Sequence, residues 1–306
     1  MVHKIIGDKN MDRCYYCKSK YIKFYGNRKT EKRGVVKRYF CKKCGRTFVE
    51  NEGFRWKHHD KRTILGSIHT WMMGLSLRDV HDFFSVSKNS VYRWFLEYGK
   101  LILGYVGNIK PFRTERLHMD EMFIHMSNTF FYVWASICRE YRFTTAFLSD
   151  DRTKKNAKTL IKESPPALNM TTDGAFAYGS VIKEVKGLHY YHNHYHRCAD
   201  FEDKKNNNLI ERWNNSYRAD THKHRGFKKL ESGDLFVRLW TFYYNFIRDH
   251  SVLGKTPAEE ARLVKYYGEK TRLQRWEYWV GRATNAFYLL FILPYLDTES
   301  IIKFRL

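Results

Sequence analysis

The stretch 117-LHMDEMFI-124 decides the fold of the larger part of this 306-residue chain. It opens a region of period-two patterning and short apolar runs, which predicts strands with one buried face. An aspartate is disfavoured inside a strand unless its carboxylate has a function. Asp120 is therefore the first candidate functional residue.

The segments that follow alternate between strand and helix patterns. The predicted elements are strands at 117–124, 130–138 and 143–148, a helix near 154–162 and a strand at 167–172. Three consecutive strands followed by an alternation with helices predict an α/β fold, a mixed sheet flanked by helices.

Two further carboxylates, Asp173 and Glu211, lie in or next to predicted elements of the same region. Asp173 follows the last predicted strand in 169-NMTTDGAF-176, where Gly174 allows the chain to turn sharply. Glu211 lies 38 positions later in the predicted helix 206-NNNLIERWNNSYR-218. Three acidic side chains from separate elements are thus candidates for one site.

Each of these positions has an alternative. Glu121 competes with its neighbour Asp120, because adjacent strand residues point to opposite faces and only one of them can be the ligand. Asp173 could instead be the N-cap of a helix. Glu211 could be a solvated helix residue, with Glu202 or Asp203 in its place.

The composition points to a phosphate-rich partner. Lys and Arg number 55 against 32 Asp and Glu, for a net charge of +23 and a pI near 9.7. The alternative is a basic surface that serves only solubility.

Hydrophobic residues make up 43% of the chain, which is enough for a packed core. The longest apolar run, Phe287–Leu293, ends at Pro294 and is too short to cross a membrane. The N-terminus lacks the apolar stretch of a signal peptide, so we expect a reducing compartment.

Four cysteines form two pairs with a two-residue gap, which is the spacing of zinc knuckles. In a reducing compartment a metal explains such pairs better than disulfides do. We expect one structural zinc ion in a ribbon over residues 1–55, with short strands at 21–24 and 35–40. Its four ligands are Cys14, Cys17, Cys41 and Cys44.

A helix-turn-helix is predicted over residues 56–108. An apolar helix through Ile64 to Met72 ends at Gly74, a short helix covers 77–84, and a third helix runs over 88–98 after a Ser-Val-Ser turn. An ordinary three-helix bundle with a solvated polar face is the alternative. The inward residues of the third helix are Val91, Trp94, Phe95 and Tyr98. Those that would face a DNA major groove are Lys88, Asn89, Ser90, Tyr92 and Arg93.

The order of the three carboxylates resembles the DDE transposase and retroviral integrase superfamily, in particular insertion-sequence transposases with an N-terminal zinc ribbon. The resemblance covers 117–261. Its other motifs are the Asp-Glu pair, T-D-G, 208-NLIER-212, Arg218 seven residues after Glu211, Gly226-Phe227 and 244-YNFIRDHSVLGKTPAE-259.

The resemblance implies an RNase H-like catalytic domain at 109–262 with a helical C-terminal extension at 263–306. Asp120, Asp173 and Glu211 would hold two Mg²⁺ or Mn²⁺ ions, an appropriate carboxylate set for phosphodiester chemistry. Asp120 would bridge both ions. The implied activity is cleavage at transposon ends, followed by joining of the 3′ hydroxyl to target DNA.

The implied partners are double-stranded DNA and at least one further copy of the chain, in the cytoplasm of a prokaryote at the nucleoid. The alternatives are a domesticated, inactive transposase acting as a zinc-dependent DNA-binding protein, a transcription regulator, or another nuclease of the same fold. The candidate DNA contacts of the catalytic part are Asn208, Arg212, Arg218, Lys223, Arg225 and Lys228.

Two segments and one basic patch have less specific interpretations. The cluster of histidines and Cys198 between 189 and 198 fits a second metal site or a strand beside a DNA channel. The basic patch 222–229 fits phosphate contact or a solvated loop. The C-terminal helix fits a contact with DNA or with a partner subunit, through Arg272, Arg275, Trp276 and Trp279.

Overall fold

The structure is a computed structural model. It describes residues 13–14, 16–17, 19–30, 34–49, 59–126, 129–172, 178, 181, 204–221, 227 and 229–291. The chain divides into two compact units, Met1–Ile64 and Leu65–Leu306. None of the described helices combines the length and the apolar character that a bilayer crossing requires.

The first unit contains a three-stranded antiparallel ribbon. Its strands are β1 (Ile22–Thr30), β2 (Gly34–Cys41) and β3 (Thr47–Val49), in that order across the sheet. The register shifts between Phe24 and Asn27, where Gly26 has φ +102°, a conformation that favours glycine. Tyr39 and Phe48 form the small core together with Cys14 and Cys41. The predicted ribbon is confirmed, with β1 longer than predicted and β3 added.

Three helices follow: α1 (Lys61–Met72), α2 (Leu77–Phe84) and α3 (Lys88–Val106). Ser76 and Asp79 form a capping box that begins α2. Ser85 ends that helix in the left-handed conformation, at φ 51°. The side chain of Ser87 accepts a hydrogen bond from the backbone of Ser90 and begins α3. The predicted helix-turn-helix layout is therefore present.

The second unit contains a mixed sheet. Its elements are β4 (Thr114–Met126), β5 (Thr129–Cys138), β6 (Thr144–Ser149), α4 (Lys154–Glu163) and β7 (Ala167–Thr171). The strand order is β6-β5-β4-β7, with β7 parallel to β4 and the other neighbours antiparallel. This is the mixed sheet that the sequence predicts, in an RNase H-like arrangement.

Four further helices are α5 (Lys204–Thr221), α6 (Leu230–Phe246), α7 (Pro257–Glu260) and α8 (Arg272–Phe291). Helix α5 packs on β4 and β5, and α6 packs on β6. The edge strand β6 is completed by a side chain of α6, because Asn245 accepts from the Thr144 amide at 2.9 Å and donates to its carbonyl at 2.7 Å. The asparagine of the Tyr-Asn motif thus has a structural task here.

Helices α3 and α8 both pack against α6 within the second unit. Gly99 lies at the contact with α6, where an added Cβ would be in van der Waals contact with Leu235 and Leu239 at 3.4 Å. Trp276 and Trp279 of α8 are buried against Phe242 of α6. This face of α8 is core, so its aromatic residues are not available to DNA or to a partner subunit.

Candidate active site and metal centre

Asp120 lies in the middle of β4, beside Ala135 of β5. Its carboxylate accepts a hydrogen bond of 2.9 Å from the side-chain amide of Asn214 on α5. Asn214 is 6% exposed. The carboxylate of Asp120 is therefore held in one orientation by a residue of the helix that also carries Glu211.

One face of α5 borders the same space. Glu211 and Arg218 are separated by two helical turns and both are exposed. They line an open cavity of about 290 Å³ together with Asp120. The lining residues are Asp120, Glu121, Met122, Phe123, Glu211, Asn214, Asn215 and Arg218.

The other face of α5 anchors the helix. Ile210, Trp213 and Tyr217 are buried, and Trp213 packs edge-on against Trp240 of α6 at 5.5 Å between ring centroids. Because the apolar stripe fixes the rotation of the helix, Glu211 and Arg218 are directed to the cavity rather than to the core.

Glu121 has a different environment from its neighbour Asp120. It pairs in register with the buried Trp134 of β5. Its side chain is only 4% exposed and forms an ion pair with Arg152. Glu121 also contributes atoms to the cavity wall, and one of its carboxylate oxygens is paired with Arg152.

Asp173 lies outside the described residues, as do Glu202 and Asp203. The strand before Asp173 is described. There, Thr171 of β7 pairs with His118 of β4, and these residues stand two positions before Asp173 and Asp120 respectively.

The carboxylates of Asp120 and Glu211 suit a hard divalent cation. Mg²⁺ and Mn²⁺ prefer carboxylate oxygens and retain several waters. Asp120 supplies an oriented carboxylate and Glu211 an exposed one, in a cavity large enough for waters. The donor set therefore fits such an ion.

The four cysteines of the ribbon converge. Their sulfurs all lie within 4.8 Å of one another, with 3.7 Å between Cys14 and Cys44 and 3.5 Å between Cys17 and Cys41. A tetrahedral zinc with Zn–S bonds of about 2.3 Å separates its sulfurs by about 3.8 Å. The cluster fits one such ion.

The thiols of this cluster differ in acidity. Burial raises the pKa of Cys14 to about 12. Burial acts in the same direction on Cys41, but hydrogen bonds from the backbone of Cys44 and the side chain of Cys17 lower its pKa to about 7.

The first turns of α3 present most of the predicted groove-facing residues. Lys88, Asn89 and Arg93 are exposed, and Ser90 bonds to the cap residue of the helix. Tyr92 differs, because its hydroxyl donates to Ser232 of α6 at 2.9 Å and its ring packs against Trp71. Tyr92 is thus an internal contact and does not belong to a DNA-facing set.

Only some of the other residues predicted to contact DNA lie among the described residues. Asn208 and Arg212 are exposed on α5. Lys223, Arg225, Lys228 and the cluster between 189 and 198 lie outside the described residues. The sequence interpretation misses Asn214, although it stands three residues after Glu211 and so one turn along the same helix.

Residues 114–250 match the profile of a protein family described as a DDE domain. This part of the chain is a DDE domain. The match includes β4, β7 and α5, and hence the strand of Asp120 and the helix of Glu211. A search of curated protein sequences finds no match to the chain.

Among solved structures, the chain is similar to retroviral integrases. A simian T-cell lymphotropic virus intasome in complex with the PP2A regulatory subunit B56 gamma is 15% identical, with a TM-score of 0.38, over 53% of this chain and 60% of that one. The HTLV-2 integrase catalytic core in complex with magnesium is 14% identical, with a TM-score of 0.34, over 50% and 96%. The BIV integrase core is 14% identical, with a TM-score of 0.35, over 48% and 92%.

Proposed function

We propose that the protein is a DNA transposase that binds the terminal inverted repeats of a transposon, cleaves the DNA at these ends and joins the 3′ hydroxyl to target DNA. The observation that carries the proposal is the cavity shared by Asp120, Glu211 and Arg218 within the DDE domain. Two acidic side chains beside an arginine suit a phosphodiester held next to divalent cations.

In this proposal Asp120, Asp173 and Glu211 hold two Mg²⁺ or Mn²⁺ ions. When bound, such ions activate the attacking oxygen and stabilise the leaving oxygen of an in-line displacement. Asn214 keeps the carboxylate of Asp120 oriented. Arg218 binds a DNA phosphate at the edge of the cavity, and Asn208, one turn before Glu211, contacts the strand.

DNA recognition is assigned to the exposed positions of α3. Lys88, Asn89 and Arg93 enter the major groove, and Ser90 lies at the start of the same helix. Phosphates are bound by Arg212 and by three cations of the 222–229 patch. Those three are Lys223, Arg225 and Lys228. One structural zinc ion holds the ribbon, with Cys14, Cys17, Cys41 and Cys44 as ligands.

Joining two transposon ends requires them to be held together, so we expect the active form to be a dimer or a larger assembly on double-stranded DNA. A transposase of this kind acts where its DNA lies, which in a prokaryote is the nucleoid in the cytoplasm.

Incubation of the protein with labelled DNA ends and Mg²⁺ or Mn²⁺ tests the proposal. We expect cleavage and joining by the wild type, and loss of both with Asp120→Asn, Asp173→Asn or Glu211→Gln, while end binding persists. Glu115→Gln is the matched control, because Glu115 is an exposed carboxylate on the same strand as Asp120. Joining by the Asp120→Asn variant in Mg²⁺ would contradict the site.

The same experiment separates the alternative function. A domesticated transposase that serves as a zinc-dependent DNA-binding protein would bind DNA through α3 and the ribbon, but the wild type would not cut it in either metal. The exposed Glu211 beside an oriented Asp120 favours the active enzyme.

A further inference from the structure

The ribbon carries a disproportionate share of the positive charge. Between residues 13 and 49 the sequence has thirteen Lys and Arg residues and one acidic residue, Glu31. The net charge of the whole chain is +23, so about half of it falls in this short segment. A structural zinc site explains the cysteines but does not explain this charge.

The two faces of the ribbon sheet differ in composition. One face contains Tyr39, Phe48 and the cysteine cluster. Successive strand residues point to opposite faces, so the neighbours of these core positions form the outer face. The outer face includes Lys23, Tyr25, Arg38 and Phe40, and we call these four residues the outer patch.

Cations and aromatic rings are interleaved in the outer patch. The Lys23 ammonium lies 5.5 Å from the Phe40 ring centroid, and the Arg38 guanidinium lies 5.3 Å from that of Tyr25. The rings of Tyr25 and Phe40 are 5.8 Å apart at 33°. Tyr25 is 52% exposed. The patch thus combines an exposed tyrosine ring and a half-buried phenylalanine ring with two cations that lie over them.

We infer that the outer patch binds single-stranded DNA, with its bases stacked on Tyr25 and Phe40 and its phosphates at Lys23 and Arg38. Base-on-aromatic stacking beside a cationic track is the usual way in which proteins bind unpaired strands without sequence preference. The charge of the segment is complementary to such a strand.

The aromatic rings favour an unpaired strand over a duplex. Contacts with the phosphates of a duplex need cations and hydrogen-bond donors, and its base faces are covered by stacking within the helix. The exposed Tyr25 ring would have no stacking partner in such a complex. An unpaired strand exposes its base faces, so its bases can stack on the rings while its phosphates contact the cations.

This site goes beyond the proposed function, which assigns duplex ends to α3 and leaves the ribbon a structural role. Binding to the outer patch requires no divalent ion in the DDE domain. It can therefore be measured without Mg²⁺ or Mn²⁺, and its failure is distinguishable from a failure of the catalytic proposal.

The test uses the full-length, zinc-loaded protein and fluorescein-labelled oligo(dT), with fluorescence anisotropy as the readout. A hairpin duplex of matched length is the second probe. We expect Tyr25→Ala to weaken oligo(dT) binding about 10-fold or more, while duplex binding stays nearly unchanged. Zinc content of each variant shows that the ribbon remains folded.

Matched controls separate stacking from charge. Tyr266→Ala removes a tyrosine that is 77% exposed in the second unit and should leave oligo(dT) affinity unchanged. Arg38→Gln should reduce the dependence of log affinity on log salt by about 0.7 for a single strand. Tyr25→Ala should lower affinity without changing that slope.

Three outcomes would overturn the inference. The first is unchanged oligo(dT) affinity in zinc-loaded Tyr25→Ala. The second is an equal loss of duplex and oligo(dT) affinity in that variant. The third is tighter binding of an oligo(U) RNA of the same length than of oligo(dT), which would contradict the assignment to DNA.

Discussion

The side-chain amide of Asn214 donates a 2.9 Å hydrogen bond to a carboxylate oxygen of Asp120, and so joins α5 to β4. The amide oxygen of Asn214 is buried and has no hydrogen-bond partner among the described residues. An asparagine in this position orients a carboxylate and keeps a second polar atom at the edge of the cavity. The orientation of the Asp120 carboxylate in the proposed metal site therefore depends on this one contact between α5 and β4.

Replacing Asn214 should weaken metal binding more than it weakens the fold. Partners that orient a metal ligand typically contribute 10–100-fold in affinity or activity, so we expect Asn214→Ala to raise the Mn²⁺ concentration for half-maximal cleavage about 10-fold or more. Ser216→Ala on the same helix is the control. An unchanged Mn²⁺ dependence in Asn214→Ala would show that the contact has only a structural role.

Removal of zinc should unfold the ribbon. Its core consists of few apolar side chains, mainly Tyr39 and Phe48, so metal binding supplies much of its folding free energy. We expect Cys41→Ala to lose the zinc and to become sensitive to proteolysis between 13 and 49. Cys138→Ala is the matched control, because Cys138 is buried in β5, outside the cluster. Equal zinc content in both variants would contradict the cysteine site.

His69 should make the stability of the second unit depend on pH. Burial, with a contribution from Arg272, lowers its pKa from 6.5 to about 4. Between these values the unfolded chain binds more protons than the folded chain, so stability is complete above pH 6.5 and falls as the pH drops toward 4. The loss is at most about 3 kcal/mol.

Urea unfolding at pH 7 and pH 4.5 measures this effect. We expect the free energy of unfolding to fall less between these pH values in His69→Leu than in the wild type. His125→Leu, at an exposed position, should behave as the wild type does. The same pH dependence in all three proteins would rule out a role for His69.

Two glycines of α3 should respond in opposite directions to substitution. A Cβ added at Gly104 would meet no atom within 4 Å, so Gly104→Ala should stabilise the helix by about 1 kcal/mol. A Cβ at Gly99 would lie 3.4 Å from Leu235 and Leu239, so Gly99→Leu should destabilise the protein by about 1–3 kcal/mol. Thermal unfolding checks both, and a stabilised Gly99→Leu would contradict the α3–α6 packing.

The sequence predicts the elements whose ends are set locally. Helix α2 has the predicted bounds, because the Ser76–Asp79 capping box and the left-handed Ser85 lie within the segment itself or next to it. The local pattern also predicts Asp120 inside a strand, and β4 contains it. In both cases the deciding interactions involve residues close together in the chain.

Contacts between distant segments are not predictable in this way. Tyr92 has the helical spacing of a groove-facing residue, but its hydroxyl meets Ser232, which is 140 positions away. Asn214 and Asp120 are 94 positions apart. For α8 the pattern shows an aromatic face without indicating that α6 covers it. Periodicity identifies which face of an element is apolar or polar, but not what it meets.

Anomalous diffraction from crystals grown with Mn²⁺ tests the proposed metal site without relying on activity. We expect manganese peaks within bonding distance of the carboxylates of Asp120, Asp173 and Glu211, and their loss in crystals of Asp120→Asn. Manganese bound elsewhere, with the three carboxylates too far apart to share a centre, would contradict the proposed site.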